Sequence, residues 1–89
     1  MMEYQIEIRV MPRKGILDPQ GNAVAGALAS LGFGEVNEVH VGRLVRLTVR
    51  ESSEDAARQR ADAMCRGLLA NPVTEDYEVD VLQHAGASG

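Results

Sequence analysis

Few side chains in this 89-residue chain carry the chemistry of catalysis. Histidine occurs twice, at His40 and His84, and Cys65 is the single cysteine. A zinc or transition-metal centre takes several ligands from clustered Cys, His and acidic residues, and no such cluster surrounds either histidine. His40 falls on the polar side of an alternating stretch, and His84 opens a small, polar C-terminal end. Cys65 lies on an apolar stripe of helical spacing, where a thiol serves as packing rather than as a nucleophile. Arg13-Lys14-Gly15 is a basic loop able to hold an anion, but its Gly and Lys spacing is not that of a nucleotide-phosphate loop. A solvated loop, or one that meets an acidic partner, is the better reading. Glu75-Asp76 is an acid pair of the kind used in general acid–base work, here without a companion base or metal. These residues do not add up to a complete active site.

The elements that would position them follow from periodicity. Tyr4, Ile6, Ile8 and Val10 alternate with polar residues, which predicts a strand with one buried face, ended by Pro12. Residues 18–32 read as a helix: Asp18 caps it, Pro19 fits its first position, and Val24, Ala27, Leu28 and Leu31 share a face. Gly32 supplies the left-handed residue that closes it. Gln20 has no obligatory task in the first turn, so a partner contact is a plausible use for it.

In 35–50, Val39, Val41, Val45, Leu47 and Val49 share one parity that only Arg43 interrupts. Two readings keep that parity: a hairpin with a loop at 42–44, or one long strand bent at Gly42. A strand of ~15 residues spans about 50 Å, more than one small domain covers, so the second reading needs another chain to pair with the overhang. It is slightly favoured. Ser52 and Asp55 suggest a capping box for a second helix with Ala57, Ala61, Met64, Cys65 and Leu68 inward. Asn71-Pro72 stops it. Tyr77, Val79 and Val81 alternate as a last strand, and the chain from 84 onward reads as a disordered tail.

The class is therefore α+β: one domain over 1–83, with two helices on one face of an antiparallel sheet. It is either ferredoxin-like βαββαβ or built with one bent middle strand shared across a dimer. Met11, Leu44 and Leu82 are apolar on the otherwise charged outer face and are candidate dimer contacts. One Phe, two Tyr and no Trp leave a thin core, which association with another copy would relieve. The net charge of −4 argues against nucleic-acid binding, and no apolar run is long enough to span a membrane. A lone cysteine does not suggest a secreted scaffold, and the default compartment is the cytoplasm.

Three stretches carry a resemblance. They are Ile16-Leu17-Asp18-Pro19-Gln20-Gly21-Asn22-Ala23; Ser30-Leu31-Gly32-Phe33 with the strand that follows; and Leu68-Leu69-Ala70-Asn71-Pro72-Val73 with Glu75-Asp76-Tyr77. Over roughly 4–81 the chain resembles the PurS family, small subunits of phosphoribosylformylglycinamidine synthase. It departs from the pattern at Thr74, where an aliphatic residue is common, and at His40, where a basic one is.

The resemblance implies a non-catalytic accessory subunit in purine biosynthesis. The complex makes formylglycinamidine ribonucleotide from formylglycinamide ribonucleotide, glutamine and ATP. A glutaminase subunit releases ammonia, and a large synthetase subunit uses ATP and magnesium. The small subunit needs no cofactor and, as a homodimer or higher, bridges the two and assists ammonia transfer. On this basis Asp18, Gln20, Asn71 and Glu75 are candidate partner contacts. Two other classes compete: a small-molecule regulatory module of ferredoxin-like fold, and an acylphosphatase-type enzyme that would press Arg13 and Asn71 into service. Strong thermal stabilisation by one amino acid or nucleotide would favour the module, and acyl-phosphate hydrolysis would favour the enzyme.

Overall fold

The alternation that begins at Tyr4 becomes the centre of the molecule. β1 (Met2–Pro12) lies between β2 (Arg43–Glu51) and β3 (Glu75–His84), and both neighbours run antiparallel to it. The computed structural model describes residues 1–84. The expected tail is therefore, beyond His84, outside the described residues.

Register places Leu47 and Val81 beside Ile6, and Val45 and Val79 beside Ile8, so the three strands share one apolar face. α2 (Glu54–Met64) covers that face with Ala57 and Ala61, and Cys65 and Ala70 complete the core beyond its end. Small side chains on the helix allow close approach to the sheet. Ile6, Ile8 and Val10 are fully buried, and burial of each such side chain stabilises by about 1.5–3 kcal/mol. The other face carries an ion-pair lattice in which Arg9 meets Asp80 at 2.6 Å and Arg46 meets Glu7 at 3.0 Å.

Two details of α2 differ from expectation. Its cap is Ser53, not Ser52: the Ser53 hydroxyl accepts from Ala56 N at 3.1 Å. Leu68 is exposed and Leu69 packs on the core instead. The cause is a π-helical turn at Cys65–Leu69, closed by the Ala70 N–H donating to Cys65 O at 3.0 Å. Its wider turn rotates the following side chains relative to an α-helix.

α1 (Pro19–Ser30) begins and ends as the residues dictate. Asp18 caps it, and Gly32, at φ 99°, closes it. The Phe33 N–H reaches Leu28 O, and the Gly32 N–H reaches Ala29 O, the paired bonds of a Schellman ending. Its expected inner face finds no sheet. Among its residues only Gly21 is buried, while Val24 is 40% and Leu31 74% exposed. The radius of gyration is 16.8 Å, against about 12 Å for a compact domain of this length.

The middle segment is neither a hairpin nor one long strand within this chain. β2 starts at Arg43, and 36–42 adds no rung to the sheet of its own chain. Gly42 marks the junction because a Cβ there would lie 2.2 Å from both Val10 O and Met11 Sδ. A thioether can swing aside, but a backbone carbonyl in a central strand cannot. Gly42→Ala is therefore expected to lower stability by about 1–3 kcal/mol in chemical denaturation. Gly26→Ala serves as the control, since an added methyl there meets nothing.

Candidate assembly surface

Three connections meet at one end of the sheet: 13–18 after β1, 39–42 before β2, and 70–74 before β3. Asp18 joins the first two. Its Oδ1 accepts from Gly21 N and its Oδ2 from Val41 N, each at 2.9 Å. His40 Nδ1 stands 3.8 Å from Oδ2. These backbone donors, assisted by His40 and opposed by burial, hold the Asp18 carboxyl below its ordinary range. Gly21 allows the close packing here, because a Cβ would fall 2.0 Å from Val39 O.

Glu75 joins the other pair. Arg43 grips it in a fork, Nη1 to Oε2 at 2.7 Å and Nη2 to Oε1 at 2.8 Å, while Oε1 also accepts from Asn71 N at 2.7 Å. The Arg43 guanidinium, then the Asn71 amide, hold Glu75 below the usual carboxylate range. Arg43 Nη2 also donates to Leu69 O at 2.6 Å, satisfying a carbonyl at the end of the π-helical turn. Asn71 Oδ1 accepts from Val73 N at 3.0 Å, a side-chain turn of the kind Asn favours. Arg13 ties the remaining loop: its Nη2 donates to Pro72 O at 2.6 Å, and its Nε lies 3.2 Å from Asp76.

Asp18, Gln20 and Glu75 thus line one shallow hollow of about 350 Å³ with Ile16, Leu17 and Thr74. Asn71 stands behind it through Glu75. Gln20 and Asn71 are exposed, whereas Asp18 and Glu75 are partly covered and have their oxygens occupied internally. Met11 and Leu44 share a second hollow of about 370 Å³ on the outer face. Leu82 sits at the bulge opposite Gln5 and Ile6, at the other end of the strands. All three are roughly half exposed.

Sequence reasoning missed Arg43 and the clamping use of Arg13. The signal for Arg43 was present, as the one residue that broke the apolar parity. Glu75 and Asp76 are not held together as an acid pair, since each meets a different arginine. Cys65 is buried, and desolvation followed by nearby Asp62 raises its thiol pKa, as suits an inert thiol. Among the described residues, no three His, Cys, Asp or Glu side chains are placed to hold a metal.

The PurS family model, described as phosphoribosylformylglycinamidine (FGAM) synthase, matches residues 5–83. The chain belongs to the PurS family. The PurS subunit of Bacillus subtilis (strain 168) is 40% identical over 78 residues, covering 88% of this chain and 92% of that one. That of Synechocystis sp. is 39% identical over 84 residues, covering 94% and 84%. The B. subtilis PurS crystal structure superposes with a TM-score of 0.81 at 39% identity, covering 90% of this chain and 99% of that one. A chain in the PurLQS structure from Thermotoga maritima gives 0.82 at 29% identity, covering 92% and 100%. The α+β architecture is thus that of PurS proteins, whose loops and strands this chain matches nearly end to end.

Both lowered carboxylates carry a consequence for pH. Stability from a depressed pKa is present above the unfolded-state value and is lost as pH falls through the folded-state one. For Glu75 that loss belongs below about pH 4.3. Glu75→Gln is expected to melt lower than wild type near neutral pH but to lose less of its melting temperature on acidification, as read by thermal denaturation at a series of pH values.

Proposed function

We propose that this chain is the non-catalytic accessory subunit of a cytoplasmic phosphoribosylformylglycinamidine synthase. It works as a homodimer that docks a glutaminase subunit to an ATP- and magnesium-using synthetase subunit, so that ammonia from glutamine reaches formylglycinamide ribonucleotide. The observation that carries the reading is the near-complete match to the chain in the PurLQS structure. The site geometry supports it. The clustered polar groups of this end bond one another rather than converging on an open position where a substrate would react, and a hydrogen-bonded rim around apolar loop residues suits protein docking.

The dimer reading rests on surface left open by the single chain. Leu31, Phe33 and Val36 are 74%, 48% and 37% exposed around the end of α1. The segment before β2 has no ladder in its own chain and is free to pair with a second copy. Ammonia is lost to protonation and to bulk solvent, so a fixed assembly of the two larger subunits is a physical requirement of the transfer. A small rigid dimer meets that requirement through contact alone.

Within this reading Gln20 offers a direct contact, while Asp18, Asn71 and Glu75 shape the loops that offer others. Gln20→Ala and Glu75→Ala, supplied at sub-saturating concentration to the two larger subunits, are expected to lower glutamine-dependent synthesis several-fold. Synthesis from added ammonia is expected to stay unchanged. Wild-type glutamine-dependent rates in both variants would remove these residues from the interface.

A further inference from the structure

Arg43 is the first residue of β2, directly after the close passage of Gly42 against β1. Its guanidinium reaches across the end of the inner face to Glu75 on β3 and to the Leu69 carbonyl, binding three parts of the chain with one side chain. Through Glu75 the hold extends to the Asn71 amide, and Asn71 in turn fixes Val73. The loop so fixed presents Val73, 75% exposed, while Arg13 pins the neighbouring loop that presents Leu17, also 75% exposed.

An exposed apolar tip on a mobile loop loses entropy when it docks, and one already fixed loses less. The charges behind these tips cancel in pairs, Arg43 with Glu75 and Arg13 with Asp76. The 70–76 surface on offer is thus apolar and hydrogen-bonding rather than charged, while Lys14 adds an exposed charge to the loop of Leu17. In this pair the Arg43 side chain is 49% and that of Glu75 18% exposed, and an ion pair with one end in water adds only modestly to global stability. Its value lies in local order. Lysine could not replace it, because an ammonium cannot make the planar two-bond fork.

We propose that Arg43 is a positioning residue for subunit docking: it clamps Glu75 and the end of the π-helical turn, and so pre-orders the 70–76 loop for an uncharged, apolar patch on a larger subunit. This rests on the accessory-subunit reading. The test titrates wild type, Arg43→Lys, Arg43→Ala, Glu75→Ala and the double alanine variant into fixed amounts of glutaminase and synthetase subunits from the same organism. Glutamine-dependent synthesis is followed, with melting temperatures measured in parallel.

Arg43→Ala is expected to raise the half-saturating concentration about tenfold, the scale of re-ordering one or two side chains, with the plateau rate kept. Arg43→Lys should show most of that rise. The double variant should be no worse than Arg43→Ala, since the two residues act as one unit. All variants should remain folded at the assay temperature. An unchanged half-saturation in Arg43→Ala, full function in Arg43→Lys, additive losses in the double variant, or unfolding that accounts for the loss would each overturn the positioning role alone. Wild type that leaves the glutamine-dependent rate unaltered would overturn the accessory reading, and this role with it.

Discussion

A helix of 12 residues that buries one glycine draws little of its order from packing within its own chain. Isolated helices of that length are marginal in water, and tertiary burial of an apolar face usually supplies what propensity does not. The face of the sheet that could have received α1 is already occupied by α2, whose Ala57 and Ala61 share one core cluster with Ile6 and Ile8. What fastens α1 instead is a single junction at its N-terminus, where Asp18 bonds two backbone amides and Gly21 lies against Val39. In the rest of the helix only Ala25 and Leu28 are partly covered, and the apolar residues that follow it face outward. In our account a second copy supplies the missing cover.

This arrangement divides the chain between two kinds of contact. One region, α1 with the segment before β2, offers apolar surface and backbone without a strand partner in its own chain. The other, the loop end of the sheet, is internally bonded and shows a few apolar tips among neutralised charges. They touch at Gly42 and Arg43. Gly42 lets the backbone pass β1 closely, and Arg43 immediately fastens the start of β2 to β3. A subunit whose task is to hold two larger proteins in register needs such a junction to be stiff.

The sequence was most legible where local rules decide. Period-two alternation gave β1 and β3, and Asp18, Pro19 and Gly32 bounded α1. It was less legible where tertiary structure decides. No periodicity shows that α1 has no sheet to cover, and Leu68 matched an inward stripe until the π-helical turn rotated it away. Arg43 looked like a defect in an apolar pattern because its partner, Glu75, is far away in sequence and comes near only once β1 lies between their strands. Of the four proposed contact residues, three reached one hollow, but polarity alone could not separate Gln20, which is exposed, from Asp18 and Glu75, which bond inward.

The central claim is that α1 gains its order from another copy of the chain. Hydrogen exchange across α1, measured on the same sample at concentrations above and below dissociation as tracked by native mass spectrometry, tests it most directly. The account predicts slow exchange along α1 in a two-copy species and its loss on dilution, while β1 stays protected. A single-copy species at micromolar concentration, with α1 amides as protected as those of β1, would contradict it.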